Sequence, residues 1–596
     1  MYHCYCKKVL IRKRMDICKS PKCNTFTKIM KPIIIAQQEN GLHQPSYYII
    51  FLFAVALYLN TAENKYAFDD TVVLSHAKHG LKDIPALLTN DLFSPMYGQP
   101  LDIGIRWRPF ALFTSTIEYE VFGESPFIGH LLNMILYGSA GIVLLRLLSQ
   151  LLPKAPLVAF ISALIFIAHP VHTEAVANIK SRDEIFSFTF LLLTLLFIHL
   201  FTDTDKRKHF IYSCLFYILA LLSKENGITF LAIIPLFLFC FTNKTRKQTL
   251  LLTVPFLVIV ILYLSVRASL FHGVIIGDRN MDIMENQFYG IPFLQKSANV
   301  LYILGKYLLL LFFPHPLACD YSYNQIPIIN WTNSKAIASA LIYLGLFIVA
   351  VKILWNYKKI SSDKSNNLNP LNLKLILSFC ILFYLITISI VSNLLFNIGT
   401  PMAERFLFLP SLGFCLAITV LLLRGLKIKD LHELKFPPAL YIPLALILAA
   451  FSFKTIDRNR DWKDQITLFG RDAQVVPNSC KIHYYYGGEL LDRYALYPDD
   501  NPEKIPGLRK AMREQKIAID IYSKFYIAYY TIGLIYDQLQ MTDSAIYNYK
   551  QAVNIEPRYY LAYGKLGFLY GRIKNDPDSA VFYYQKGLAG SPNNAL

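Results

Sequence analysis

An all-α fold is predicted, a membrane-spanning helical bundle followed by a helical-repeat solenoid. Two observations carry it. Of the 596 residues 54% are hydrophobic, and apolar runs long enough to span a bilayer recur along the chain. From residue 454 onward the sequence turns polar and tyrosine-rich, with a pattern that repeats. The formal net charge of +18 sits mostly in short Lys/Arg clusters between apolar runs, which fits membrane orientation and argues against a nucleic-acid partner. The ten cysteines form no disulfide framework.

In chain order, residues 1–45 read as a basic cytoplasmic N-terminal extension. The spacings of Cys4, Cys6, Cys18 and Cys23 are too irregular for a four-thiolate zinc site. No small-residue cleavage site follows, so the first span is expected to be retained. Residues 46–453 form a multi-span domain with a large first outer loop, 61–125. Spans are expected at 46–60, 126–148, 157–168, 185–201, 210–222, 228–242, 249–266, 336–354, 372–392, 406–426 and 438–453. The run 297–313 would invert every later loop if it crossed once, so it is expected to re-enter, to lie in the interface, or to cross twice with a neighbour. Lys206-Arg207-Lys208, the stretch Asn243 to Lys247, Lys358-Lys359 and the stretch Arg424 to Lys429 mark the cytoplasmic side by their positive charge. The opposite face then receives Asp69 and Asp70, the loop from His169 to Glu184, Ser223 to Asn226, Asp320, Glu404-Arg405 and everything after 453.

Residues 454–596 carry the tetratricopeptide pattern. Tyr529, Ile532, Gly533, Tyr536, Ala545, Tyr549, Ala552 and Pro557 occupy its positions, and Tyr563, Leu566, Gly567 and Tyr570 restart it one period later. A degenerate earlier unit is expected near Tyr484 and Gly488, with an insertion between Pro498 and Pro506.

The outer face gathers the chemistry. Adjacent carboxylates at Asp69-Asp70 can take a proton from a hydroxyl or hold a divalent cation, and equally can cap the helix expected from Thr71. His169, His172 and Glu174 have a spacing that could bind a metal, or could orient a phosphate together with Lys180 and Arg182. A helix stop before Pro170 is the preferred reading of His169. Lys224-Glu225 lies too near the lipid for a casual charge pair, and the guanidinium groups of Arg106 and Arg108 suit bidentate phosphate binding. Carboxylates for a base beside cations for an anionic leaving group suit transfer of a group from a lipid phosphate to a hydroxyl.

Several ordered motifs then bear a resemblance. They are Phe68-Asp69-Asp70, Arg108-Pro109, His169-Pro170-Val171-His172-Thr173-Glu174, Ser223-Lys224-Glu225-Asn226-Gly227, Asp320-Tyr321-Ser322, the stretch Ala403 to Ser411, and Arg458-Asn459-Arg460-Asp461-Trp462. With the repeats, they resemble the transmembrane and tetratricopeptide-repeat O-mannosyltransferases, membrane glycosyltransferases of the GT-C type. The resemblance implies a polyprenyl-phosphate sugar donor, with mannose the expected sugar, and a Ser or Thr acceptor on an exported polypeptide held partly by the repeats. It implies an acidic general base in the first outer loop, with Asp70 the first choice and Asp69 the second. Arg108, Lys180, Arg182 and Arg405 would hold the donor phosphate, and Glu404 would orient Arg405. His169, His172, Glu174, Lys224, Glu225 and Asp320 would support them. The family's Tyr-Arg-Pro-Leu motif reads Trp107-Arg108-Pro109-Phe110 here. A multi-pass protein of the plasma or inner membrane, or of the endoplasmic reticulum equivalent, is expected. No cofactor is required, and a divalent cation is left open. The alternatives are transfer to a glycan or lipid, and a membrane-anchored repeat scaffold without catalysis.

Overall fold

A computed structural model describes residues 44–78, 80, 84–92, 106–271, 283–361, 373–428, 430–431 and 433–590. The four N-terminal cysteines lie outside them. All regular structure among the described residues is helical. The bundle begins with α1 (Gln44–Tyr58), the short α2 (Asp70–Lys78) and α3 (Ile84–Thr89), and α4 (Pro109–Phe122). It continues through α5 (Pro126–Leu151), α6 (Pro156–Ala168), α7 (Thr173–Ala177), α8 (Arg182–Thr204), α9 (Arg207–Ser223), α10 (Phe230–Phe241) and α11 (Arg246–Leu270). Then come α12 (Phe293–Phe312), α13 (Ser334–Ser361), α14 (Leu373–Ser389), α15 (Ser411–Gly425) and α16 (Pro438–Asp461). Repeat helices follow: α17 (Gln465–Val475), α18 (Cys480–Ala495), α19 (Lys504–Ile521), α20 (Tyr526–Gln538), α21 (Thr542–Ile555), α22 (Tyr560–Arg572) and α23 (Pro577–Gly590).

Small residues set how closely the spans pack. A Cβ on Gly138 of α5 would stand 2.7 Å from the Phe51 ring of α1, so the two backbones meet at a distance only glycine allows. Five described helices are long and apolar enough to cross a membrane, or six if α6 and α7, bent by 55°, form one span; three apolar helices are shorter. This is fewer full-length spans than the hydropathy suggests, because polar turns interrupt several of the runs. Pro170 forces His169 into extended backbone and ends α6. Lys224 (φ −160°, ψ 139°) divides α9 from α10, and Ala403 (φ −151°, ψ 144°) opens a 3-10 turn, Glu404–Leu407, ahead of α15. Irregular backbone at such depth is tolerated where it is enclosed by protein or lines a cavity.

These interruptions meet at one end of the bundle. At the opposite end Val158, Leu373, Arg424 and Lys427 border a common hollow. α12, the helix of the 297–313 run, lies along the polar end. Asn286, just before it, donates to Asn393 and the Ile398 carbonyl. Near its other terminus the Leu311 carbonyl meets His169, and beyond it the Ala318 N–H reaches Glu404.

α16 carries on through the boundary expected at 453, and its last turns bind the bundle to the repeats. Thr455 donates to the Ala168 carbonyl, and Arg458 donates to both oxygens of Asp472 on α17 at 2.7 and 3.1 Å. One apolar core runs from Tyr307, Leu311 and Leu407 of the bundle through Trp462 and Leu468 to Ile482 and Leu508. The solenoid is therefore docked on the bundle by burial and not merely tethered. Within it α20 pairs with α21 and α22 with α23, at the positions the sequence pattern marks. A Cβ on Gly533 would stand 2.4 Å from the Tyr549 ring, which is why a small residue recurs there. In the degenerate first unit that place belongs to Gly487, which faces Gln515, while Gly488 faces open space.

Candidate functional site

The polar end of the bundle encloses a cavity of ≈ 480 Å³ between the bundle and the first repeat helices. Its wall includes Asp69, Arg106, Arg108, Lys180, Lys224, Glu225, Arg267, Asp320 and Arg405, with Phe469, Lys481, Tyr485 and Glu489 from α17 and α18. Loops far apart in sequence thus converge, as their common face predicts.

The two adjacent aspartates differ sharply. Phe68 takes a left-handed conformation (φ 54°) immediately before them and turns Asp69 toward the cavity. Asp69 is partly exposed and lies 3.4 Å from the Lys180 ammonium. Burial alone would raise its pKa, but Lys180, Arg405 and Arg106 outweigh that and hold the carboxyl below its usual range. Lys180 in turn is pushed down to about 8, chiefly by burial and against the pull of Asp69. Asp70 is buried away from the cavity. Its two oxygens accept the N–H groups of Ala67 at 3.0 Å and Lys180 at 2.8 Å, tying the first loop to the Ile179-Lys180 strip. Burial pushes its carboxyl up to about 7. It begins α2 without capping it through its side chain.

The 174–184 strip is fixed from behind. Asn133 of α5 donates to the Val176 and Asn178 carbonyls and accepts from the Arg182 Nε at 2.7 Å. Arg182 also binds Glu118 and the Gly129 carbonyl, so its donors point away from the cavity. A buried lattice of charge lies beside it. Arg108 donates to both oxygens of Glu225, at 3.1 and 2.6 Å, and to Asp183 at 2.6 Å, while Lys224 binds Glu184 at 2.5 Å and Asp183 at 3.4 Å. Pairing of this kind is what permits ionised groups to be buried.

Glu174, and not the neighbouring Glu404, orients Arg405: its carboxylate accepts both the Arg405 backbone N–H and the guanidinium. Burial would weaken the Arg405 charge, but Glu174 and Asp69 more than restore it. Glu404 faces the other way, accepting from the Ala318 N–H and, at 2.7 Å, from the Tyr321 hydroxyl. Burial pushes its carboxyl up to about 8. The histidines are framework: His169 meets the Leu311 carbonyl, and His172 is held between the Tyr137 and Ser411 hydroxyls at 2.8 Å each. Asp320 accepts from Ser322 and from Ser479 of the repeats. Among the described residues no group of three or more His, Cys, Asp or Glu is arranged to hold a metal ion.

Sequence reasoning thus marked Asp69, Lys180, Arg108 and Arg405, which the fold brings to one cavity, and also Asp70, Arg182, Glu404, His169 and His172, which it turns aside. It missed Arg267, which lies near the end of a long apolar helix and carries no motif. It also missed the α17–α18 wall, which only docking of the repeats creates.

Comparison with known proteins agrees with the motif reading. Residues 107–271 match a family described as dolichyl-phosphate-mannose-protein mannosyltransferase, a glycosyltransferase family of the membrane. Residues 526–559 match the tetratricopeptide repeat. The chain is 27% identical over 466 residues to protein O-mannosyl-transferase F38B6.6 of Caenorhabditis elegans, covering 76% of this chain and 61% of that protein. To protein O-mannosyl-transferase TMTC2 of Mus musculus it is 25% identical over 486 residues, covering 71% and 58% respectively. It resembles the transmembrane and tetratricopeptide-repeat O-mannosyltransferases over most of its length, and it spans about 60% of the length of these two relatives. A solved chain from the APC/C hetero-tetramer Cut9–Hcn1 aligns over 82% of this chain and 93% of its own at 13% identity, but its TM-score of 0.20 carries no argument.

Proposed function

We propose that this chain transfers mannose from a polyprenyl-phosphate donor to Ser or Thr hydroxyls of exported polypeptides, on the extracytoplasmic side of the membrane, with Asp69 as general base. One observation carries the reading. An ionised carboxylate stands on the cavity wall 3.4 Å from Lys180, in a cavity that Arg405 also lines, so base and anion-binding groups share one chamber. A hydroxyl oxygen attacks the sugar's C1 while Asp69 takes its proton. The C1–oxygen bond to the phosphate breaks, and the leaving phosphate carries off the electron pair with inversion at C1. Arg405, held by Glu174, and Lys180 meet the charge that grows on that phosphate, with Arg106, Arg108 and Arg267 behind them. Asp70 is a positioning residue that sets Ala67 and Lys180. The preference drawn from the resemblance, Asp70 before Asp69, is therefore reversed.

Membranes carrying the protein are incubated with polyprenyl-phosphate mannose and Ser/Thr peptides, and hexose on the peptide is measured by mass spectrometry. Hexose gained only with Asp69 intact supports the reading. Peptides left bare while a lipid or glycan gains the sugar would move the acceptor to those classes, and no transfer to any acceptor would leave the scaffold reading.

A further inference from the structure

The cavity does not end at the bundle. Phe68, which precedes Asp69, packs edge-on against Phe469 of α17 at 6.2 Å, and Phe469 stacks on Tyr485 of α18 at 5.3 Å. Tyr485 neighbours Tyr484 at 5.4 Å, and Tyr484 meets Phe525 at 5.2 Å. Phe525 is followed directly in the chain by Tyr526, which opens α20 and is followed one turn later by Tyr530. Those two rings pack on Tyr559 at 4.9 and 5.2 Å. Aromatic rings therefore follow one another from the proposed base to the start of the third repeat pair, on α17, α18 and α20 and on the loop residues Phe68, Phe525 and Tyr559.

From this we infer that the rings from Phe68 to Tyr559 form a track for an extended segment of the acceptor polypeptide, delivering its hydroxyl residue to Asp69. The inference rests on the proposed transfer to a polypeptide. Four observations favour an unfolded peptide as the occupant. The track is continuous with the cavity, since Phe68, Phe469 and Tyr485 line both. The first four ring-to-ring steps have the length of about six or seven extended residues. Aromatic faces bind extended backbone with little regard to sequence, and tyrosine adds a hydroxyl for peptide groups at low entropic cost. On the α17–α18 side of the cavity Phe469 and Tyr485 stand together with Lys481 and Glu489, so a passing backbone meets rings and polar groups side by side. Burial and the neighbouring Asp492 and Asp464 raise the Glu489 carboxyl to about 7, so its charge is reduced at neutral pH.

The test uses the full chain in detergent without donor. Fluorescent peptides of twelve and of three residues, each with one central Thr, are titrated by anisotropy. The twelve-residue peptide is expected to bind, and Tyr485→Ala or Tyr526→Ala to weaken it by about tenfold. Tyr485→Phe, which keeps the ring, should bind nearly as the parent does. Tyr547→Ala, an exposed tyrosine outside the track, should change nothing, and the three-residue peptide should not respond to Tyr526→Ala. Equal affinity in Tyr485→Ala, Tyr526→Ala and Tyr547→Ala overturns the track, as does equal binding of the two peptides. Should Tyr485→Ala fail to fold, Tyr526→Ala decides the matter. Binding that follows the track in a protein transferring no hexose would sink the catalytic reading and keep the track; transfer with unaltered binding would do the reverse.

Discussion

Substituting each aspartate by asparagine separates chemistry from architecture at adjacent positions. Asp69→Asn removes a partly exposed carboxylate whose ion pair with Lys180, at 3.4 Å, is long. In a pair this far buried, the cost of desolvating both charges offsets much of their attraction, so its net contribution is small. Lys180, already near neutral range through burial, can discharge when its partner is lost. Thermal unfolding in detergent should hardly move, while kcat falls by about 10²–10⁴, the usual contribution of a general base. Asp70→Asn does the opposite. Its two oxygens each accept a buried backbone N–H, at 3.0 and 2.8 Å, and an amide can offer an oxygen to only one of them. The other donor then faces an NH₂ group, at a cost of about 1–3 kcal/mol. The melting temperature should fall, and activity should fall with the displacement of Lys180. The assays are thermal unfolding and hexose transfer on the same two preparations. An Asp70→Asn protein of parental stability with no transfer, beside an active Asp69→Asn protein, would refute the assignment.

Other outcomes follow from the same contacts. Glu174→Gln should release Arg405 and raise the donor KM, and Arg405→Ala should do so more strongly; equal donor KM in both and the parent would remove Arg405 from phosphate binding. Lys224→Met strands Glu184 and Asp183 in a buried setting, so it should destabilise by about 3–5 kcal/mol in denaturant titration. Glu404 has a folded pKa raised to about 8, so it favours the protonated fold. That contribution is complete below its unfolded pKa and is lost as pH rises through about 8. Because both donors use one oxygen that glutamine also provides, Glu404→Gln should match the parent near pH 4 and gain stability over it as pH climbs to 8. Gly533→Ala should destabilise the repeats by about 1–3 kcal/mol by crowding Tyr549, whereas Gly488→Ala should be harmless in thermal melts.

Hydropathy, charge clusters and repeat spacing determined the helical class, the order of the two parts and the loops that share one end. These signals are local: an apolar run of given length, or a small residue every thirty-fourth position, means the same wherever the chain is folded. Ordered motifs likewise marked Asp69, Lys180, Arg108 and Arg405 as charges needing an explanation. What each charge does was decided by tertiary structure. Asp69 and Asp70 are chemically identical neighbours, and only the left-handed turn at Phe68 and the Lys180 backbone send one into the cavity and the other into hydrogen bonds. The resemblance gives Arg405 to its neighbour Glu404, but with the 3-10 turn at Glu404–Leu407 the guanidinium meets Glu174 instead. The aromatic wall was invisible for the same reason: Phe68 lies hundreds of residues before Phe469 and Tyr485, which sit on two different helices, and the three become neighbours only because an apolar core docks the repeats on the bundle. Sequence encodes which charges and rings are present, but their partners depend on side-chain direction and long-range packing, which no local pattern records.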